Sequence, residues 1–277
     1  MINNRIRKIR NRFLRNNSRW IFVAGAAVLC LAGILGFVNS SFYATWSLKM
    51  SQKVLPAPSA IVSAEPSQTA SLALNETKSP ESSKQPAEIP AQLNLDVPFT
   101  SQAPTANWDK THEEACEEAA ILMAGRYFQD KKISGTDDAE TGLNQIIEWE
   151  MQNLGFFEST TVVETEKVIK GTYGLNTQVI ENPTVEQIKS AISQGKLVLS
   201  PSAGRQLHNP FYKSPGPLYH MLLIKGYTKD KFITNDTGTK RGENYPYDFQ
   251  TILDANHDWN GGAVETGSRK MILVWRI

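Results

Sequence analysis

The chain has 277 residues and a formal net charge of +1, and its charge is unevenly distributed. Residues 1–64 carry nine Lys or Arg and no acidic residue, whereas residues 65–277 carry all 28 acidic residues and the other 20 basic ones. A folded nucleic-acid-binding domain concentrates positive charge on its surface. A basic end on an acidic body therefore argues against a nucleic-acid partner and indicates a membrane topology signal.

An apolar segment follows the basic end. Residues 20–38 carry no charge, and about 20 apolar residues are enough for a helix to cross a ~30 Å hydrocarbon core. Because most of the basic residues precede this segment, the positive-inside rule places the N-terminus in the cytoplasm. We predict a basic cytoplasmic tail over 1–19 and a transmembrane signal-anchor helix over 20–42. A cleaved signal peptide is the alternative, with cleavage near residues 40–46.

A Ser/Pro-rich stretch comes next. Residues 47–92 contain no aromatic residue and are rich in Ser, Pro, Ala, Glu, Gln and Lys, a composition that cannot bury enough apolar surface to become ordered. We therefore predict a disordered stalk over 43–92. As a flexible coil, a segment of about 45 residues spans roughly 35–40 Å, so the stalk tethers the following domain outside the cell membrane.

Residues 93–277 are predicted to form one α+β domain with an antiparallel sheet, because its helices come mainly first and its strands mainly last. The domain begins with a strand at LNLDVPFTS, and Thr184 has the position and chemistry of a helix N-cap. The periodicity predicts helices over 115–129, 138–153, 164–173, 184–194 and 247–255, and further strands over 175–180, 197–201, 219–227, 231–236 and 271–277.

Cys116 is the sole cysteine of this domain, since the other, Cys30, lies in the apolar segment. It stands near the start of the first predicted long helix, where unpaired backbone N–H groups lower a thiol pKa and can hold an oxyanion. Nearby carboxylates disfavour a thiolate, so a reactive Cys116 needs a cationic partner such as an imidazolium. A buried, unreactive thiol is the alternative. The opposing carboxylates are Glu113, Glu114, Glu117 and Glu118.

Among the four histidines, His220 opens the strongly apolar strand HMLLIKGY, and a strand fixes a general base better than a loop does. Asp236 ends the next strand, and the hairpin brings it near His220 as an orienting carboxylate. Gln102 follows the first strand, and its amide can donate to an oxyanion. Taken singly, each residue has a structural explanation: a strand-start histidine, a turn aspartate and a solvated glutamine.

The order of these residues is more specific than any one of them. The stretches VPFTSQAPTANW, ACEEAAILMA, YHMLLIKGY and FITNDTGTKRGENYPY resemble the C39-like papain-like cysteine peptidases, relatives of the bacteriocin-leader-processing peptidases. The resemblance covers residues 93–277 and implies a papain-like fold of N-terminal helices packed on an antiparallel sheet. It implies that Cys116 is the nucleophile, His220 its base, Asp236 the orienting carboxylate, and Gln102 an oxyanion donor together with the Cys116 backbone N–H.

These features predict a membrane-anchored, extracytoplasmic cysteine peptidase that acts as a monomer on peptide or protein substrates of the cell envelope. No metal or cofactor is expected, since no metal-ligand spacing or phosphate loop occurs in the sequence. Two alternatives stay open: an envelope acyl-transfer enzyme, such as a peptidoglycan peptide hydrolase or transpeptidase, and a catalytically inactive peptide-binding module on a stalk. The Gly/Pro-rich segment 201–217 is either a substrate-binding flap, with Arg205 or Tyr212 contacting a peptide, or a plain surface loop.

Overall fold

The computed structural model describes residues 40–59 and 89–276. The described residues fall into two units, one up to Ser51 and the other from Gln52 onward. Within the described ranges, no helix is long and apolar enough to cross a bilayer. The predicted cytoplasmic tail and all but the last three residues of the predicted span over 20–42 lie outside those ranges, so both stay predictions.

Residues 40–53 are helical, and we label this segment α1. This differs from the disordered stalk predicted over 43–92. The composition indicated disorder because the segment has little apolar surface to bury. Within α1, however, serine and threonine hydroxyls bond back onto carbonyls of the helix itself. Thr45 Oγ1 donates to the Ser41 carbonyl, and Ser51 Oγ donates to the Leu48 carbonyl, both at 2.9 Å.

The segment after α1 also departs from a free stalk. The Ser59 backbone N–H donates to the Asn94 carbonyl at 2.8 Å, and Ser59 forms an isolated parallel bridge with Leu95. The Asn94 side-chain amide donates to the Pro56 carbonyl at 3.0 Å. Residues 56–59 therefore pair with the start of the globular domain, while residues 60–88 of the predicted stalk lie outside the described ranges.

Seven strands form one sheet in which every pair of neighbours is antiparallel, in the order β2-β7-β3-β4-β5-β6, with β1 pairing onto the end of β4. This confirms the predicted α+β class and its antiparallel sheet. One strand, β6, was not predicted. The strands are β1 (Leu93–Asn94), β2 (Asn176–Glu181), β3 (Leu197–Ala203), β4 (Tyr219–Tyr227), β5 (Lys231–Asp236), β6 (Tyr245–Asp248) and β7 (Lys270–Trp275).

Most helices precede the central strands, as predicted. Capping boxes start two of them: Thr161 bonds reciprocally with Glu164 at the start of α5, and Thr184 with Gln187 at the start of α6. The short helix α2 was not predicted. The helices after α1 are α2 (Lys110–Glu114), α3 (Cys116–Phe128), α4 (Thr136–Asn153), α5 (Val162–Tyr173), α6 (Val185–Ser193) and α7 (Phe249–Ala255).

Helix α3 is largely buried, including all of residues 116–125. It packs on strand β4 and against α4 and α5. The close approach of α3 and α4 depends on Gly142, because a Cβ atom at that position would lie 2.6 Å from a methyl carbon of Leu122. Small residues at such a crossing let two helices bury their facing surfaces at short interaxial distance.

Strand β4 is buried along its whole length and pairs with β3 on one side and β5 on the other. Its register places Asp236 opposite Leu222, and side chains two residues apart on a strand share a face. Asp236 therefore lies on the same face as His220, one step along the ladder. The packing of α3 on β4 brings the Cys116 end of the helix to this part of the sheet.

Candidate active site

Cys116 is the first residue of α3, and its side chain is 4% exposed. The preceding N-cap residue, Ala115, has no side chain that can cap the helix. The first-turn N–H groups therefore receive no side-chain acceptor from the N-cap, which leaves a positively polarised helix end beside the sulfur. This arrangement matches the helix-start position predicted from the sequence.

The thiol itself donates to a carboxylate. Cys116 Sγ lies 2.9 Å from Oε2 of Glu117. Burial raises the pKa of Cys116 well above its ordinary value, and the charge and hydrogen bond of Glu117 raise it further, with Glu118 adding to the effect. The Met221 backbone N–H facing the sulfur opposes this shift. In this structure the sulfur is consequently held as a thiol, as expected of a cysteine among carboxylates.

His220 and Asp236 form a buried pair. The distance from His220 Nε2 to Asp236 Oδ1 is 2.9 Å, and the side chains are 1% and 0% exposed. The second carboxylate oxygen accepts three further bonds, from the Asn209 amide at 2.8 Å, the Tyr212 hydroxyl at 2.7 Å and the Tyr247 hydroxyl at 2.6 Å. Both oxygens of the carboxylate are thus fixed in place.

The hydrogen bonds to the Asp236 carboxylate determine its ionisation state. Burial alone raises a carboxyl pKa, but the charge and hydrogen bond of His220, together with the tyrosine hydroxyls, outweigh it and lower the pKa of Asp236. An ionised Asp236 accepts the Nε2–H of His220, which leaves Nδ1 as the basic nitrogen. Among the described residues, Nδ1 has no hydrogen-bond partner, and no hydrogen bond joins His220 to Cys116 Sγ. The Tyr212 ring meets the imidazole edge-on, with ring centroids 5.3 Å apart.

Gln102 is buried beside these elements, but its amide points elsewhere. Nε2 donates to the backbone carbonyls of His112 at 2.8 Å and Glu113 at 3.1 Å, so both amide hydrogens are engaged. The Gln102 backbone N–H donates to the Thr237 carbonyl at 2.9 Å. Gln102 therefore fastens the end of α2, just before Cys116, to the loop after β5. In this geometry its amide hydrogens are not free for the predicted oxyanion role.

The other histidines have different surroundings. His112 lies between Asp109 at 2.8 Å and Glu140 at 2.9 Å, and these bonds raise its pKa although partial burial opposes the shift. His208 is exposed and ends a turn of 3-10 helix in the left-handed region. The Nδ1 atom of His257 lies 2.8 Å from the Gly267 carbonyl oxygen. Of the four histidines, only His220 has a buried aspartate as its partner.

Two side chains of the segment 201–217, those of Asn209 and Tyr212, bind Asp236 inside the site. Tyr212, predicted as a possible peptide contact, instead binds Asp236 through its hydroxyl. Arg205 Nε donates to the Gly216 carbonyl at 3.5 Å, a bond inside the same segment. The part of this segment near Tyr212 and Asn209 thus packs over the His220–Asp236 pair. A substrate contact by the segment stays a prediction.

Sequence reasoning noticed charge beside Cys116 but not a buried carboxyl cluster. Glu117, Glu118 and Glu150 are 1%, 0% and 0% exposed. Burial raises the pKa of Glu117 to about 7 and that of Glu150 to about 8, and burial together with its acidic neighbours raises that of Glu118 well above its usual value. A glutamate pair inside the apolar run ACEEAAILMAG is the sequence signal that such burial would leave.

A cavity of about 390 Å³ lies on the helical side of the domain. Its walls include Arg126, Trp149 and Tyr173, and Arg126 is already paired with Asp138 at 2.6 Å. None of the predicted site residues lines this cavity. We therefore place the candidate site at the start of α3 and β4, where all four predicted residues are buried.

The site brings together a thiol at a helix N-terminus and, on the strand against which that helix packs, a histidine bonded to a buried aspartate. The sequence model of the Peptidase_C39-like family matches residues 94–261. The chain belongs to that family.

The solved structures that the chain matches include a protein described as a C39-like peptidase from Bacillus anthracis, with 12% identity and a TM-score of 0.44. The alignment covers 67% of this chain and 98% of that one. Another is xylellain, a cysteine protease from Xylella fastidiosa, with 13% identity, a TM-score of 0.35 and coverage of 69% and 88%. No curated protein matches the chain significantly.

Proposed function

We propose that this chain is a cysteine peptidase that hydrolyses peptide bonds through an acyl-enzyme on Cys116. The observation that carries the proposal is the buried 2.9 Å bond between His220 Nε2 and Asp236, on the strand against which the Cys116 helix packs. Membership of the Peptidase_C39-like family supports it.

In this mechanism His220 Nδ1 accepts the thiol proton, and the sulfur attacks the carbonyl carbon of the substrate. The C–N bond then breaks, the amine leaves with the proton from His220, and an acyl thioester remains on Cys116. Water, deprotonated by His220, then releases the acid and restores the thiol. Asp236 holds the imidazole orientation and stabilises its charged form. The first-turn N–H groups of α3 are the donors proposed for the oxyanion.

A second candidate function is a peptide-binding module without catalysis. The observation that favours it is the bond from the Cys116 thiol to Glu117 and the accompanying rise in the pKa of Cys116, because a thiol held protonated is a poor nucleophile. The envelope acyl-transfer alternative uses the same groups as the peptidase, and it differs in substrate.

The test is turnover by the full chain and by Cys116→Ala. We expect the wild type to cleave protein or peptide substrates, and Cys116→Ala to lose both cleavage and labelling by a thiol-directed probe. Cleavage that persists in Cys116→Ala would contradict the proposal. Turnover of purified muropeptides but not of proteins identifies a cell-wall enzyme. Peptide binding without turnover by the wild type identifies the binding module.

We also propose that the chain is anchored in the cell membrane with the peptidase domain outside. The proposal rests on the basic end, the uncharged segment 20–38 and the aromatic residues that follow it. Phe42, Tyr43 and Trp46 in α1 are 65%, 58% and 53% exposed, as suits aromatic side chains at a membrane interface. Fractionation of cells that express the full chain tests this. Recovery of a soluble form cleaved near residues 40–46 would contradict it.

A further inference from the structure

We propose that Glu117 is a further catalytic residue of this site: its ionised carboxylate holds the Cys116 proton and keeps the sulfur a thiol, and its protonation releases the sulfur to form the thiolate. The proposal rests on the proposed function, since it concerns the same nucleophile. It assigns to Glu117 the control of when Cys116 becomes reactive.

The geometry fixes the carboxylate against the sulfur. Oε2 of Glu117 is the acceptor for the thiol at 2.9 Å, and Oε1 accepts the Thr160 backbone N–H, also at 2.9 Å. Glu117 is 1% exposed. With one oxygen bonded to a backbone donor and the other to the thiol, the carboxylate is held against the sulfur.

The backbone donor is itself held in place. Thr160 lies just before α5, and its carbonyl accepts the hydroxyl of Tyr219 at 2.9 Å. Tyr219 immediately precedes His220 on β4. The same short stretch of β4 thus carries the proposed base and supports the segment that orients Glu117. This coupling distinguishes Glu117 from the exposed glutamates that precede Cys116.

Titratable groups from three elements face Glu117. Cys116 and Glu118 lie on its own helix, Glu150 belongs to α4, and His220 and Tyr219 belong to β4. Burial raises the pKa of Glu117 to about 7, while its bonds and the charge of His220 oppose the shift. Glu117 therefore changes charge near neutral pH, whereas an ordinary exposed glutamate is already ionised there.

The two states of the pair differ by one added proton. In the first, Glu117 is a carboxylate that accepts the Cys116 thiol; in the second, Glu117 has taken up a proton from solvent, and the thiol proton passes to His220 Nδ1 as in the proposed mechanism. A second negative charge within hydrogen-bond reach disfavours the thiolate. Neutralising Glu117 removes that opposition and lowers the thiol pKa.

The experiment measures alkylation of Cys116 by iodoacetamide against pH in the full chain. Because Cys30 is also present, labelling is quantified by mass spectrometry on the peptide that contains Cys116. The test variant is Glu117→Gln, whose amide oxygen still accepts the Thr160 N–H and whose NH₂ group can donate to the sulfur. The matched control is Glu118→Gln, a buried neighbour on the same helix that does not bond the sulfur.

Glu117→Gln is expected to move the midpoint of the alkylation profile to lower pH and to raise the rate at pH 7. Each unit of thiol pKa lost gives about tenfold more thiolate, offset by a roughly threefold fall in nucleophilicity. The net gain is therefore about threefold per unit by the same relation. The profile of Glu118→Gln is expected to shift less than that of Glu117→Gln, because Glu118 raises the pKa of Cys116 only through its charge and makes no hydrogen bond to the sulfur.

An unchanged or higher midpoint in folded Glu117→Gln overturns the proposal, and so does an equal shift in Glu118→Gln. Far-UV circular dichroism establishes folding. If Glu117→Gln does not fold, Glu117→Asp replaces it: its shorter carboxylate withdraws from the sulfur, and a profile identical to the wild type overturns the proposal. Alkylation needs no turnover. A wild type that cleaves no peptide, together with a shifted Glu117→Gln profile, therefore refutes the proposed function and not the role of Glu117.

Discussion

The buried carboxyls of Glu118 and Glu150 should make the stability of the domain depend on pH, and Glu150→Gln tests this. Within the described residues, the four carboxyl oxygens of this pair have no hydrogen-bond partner. Burial raises the pKa of Glu150 to about 8 from an ordinary 4.5. A buried carboxyl without partners is more stable protonated than charged, so the folded domain binds a proton at pH 7 that the unfolded chain does not.

The direction of the pH dependence follows from the proton that only the folded domain binds. The folded pKa of Glu150 lies above the unfolded one, so the contribution of Glu150 to stability is greatest below about pH 4.5 and falls as the pH rises towards 8. Each pH unit between the unfolded pKa and the folded pKa lowers the free energy of unfolding by about 1.4 kcal/mol. From the unfolded pKa to pH 7, the wild type therefore loses about 3 kcal/mol of unfolding free energy. Glutamine binds no proton and avoids this cost, although an imperfectly paired amide costs about 1–3 kcal/mol at every pH.

The measurement is urea unfolding of the full chain at pH 4 and at pH 7, followed by tryptophan fluorescence. Relative to the wild type, Glu150→Gln should gain about 3 kcal/mol of unfolding free energy on going from pH 4 to pH 7. Glu148→Gln on the exposed side of the same helix is the control and should show no such gain. A difference between Glu150→Gln and the wild type that is equal at both pH values would refute a buried proton on Glu150.

Three further variants test the rest of the site and fold. Asp236→Asn should lower kcat for peptide hydrolysis by roughly a hundredfold or more, because an amide neither fixes the tautomer nor stabilises the charged imidazole; steady-state kinetics with unchanged circular dichroism measure this. Gln102→Ala should lose about 1–3 kcal/mol of unfolding free energy by urea titration, since it leaves the α2 carbonyls of His112 and Glu113 without their donor. Thr161→Ala should lower stability by about 1 kcal/mol and hence Tm, because it removes the α5 cap.

Most of the elements of the domain could be predicted because their signals are local. The short apolar run HMLLIKGY, the turn after Tyr227 and the next run KFITND are enough to predict a hairpin. The structure has these strands at Tyr219–Tyr227 and Lys231–Asp236. A hairpin also fixes register, and for that reason the proximity of His220 and Asp236 followed from sequence spacing.

The contacts that define the surroundings of Asp236 could not be predicted in the same way. Its partners Asn209, Tyr212 and Tyr247 come from a loop and from a strand with no strong alternation, 27, 24 and 11 residues away. Such pairings depend on tertiary packing and leave no periodic signal. The same applies to Gln102, whose donors were assigned to an oxyanion because sequence position cannot show which acceptors a side chain meets.

The glutamates at the start of α3 show how far local reasoning reaches. Sequence adjacency correctly indicated that carboxylates beside Cys116 oppose a thiolate, since the like-charge effect depends mainly on distance. It could not show that Glu117 points inward to the sulfur while Glu118 points to Glu150. One carboxyl contacts the Cys116 thiol directly, and the other lies beside Glu150 of α4. Under the proposed function the Cys116 thiol must lose its proton before it attacks a substrate, and the role proposed for Glu117 makes that loss depend on the charge of its carboxylate.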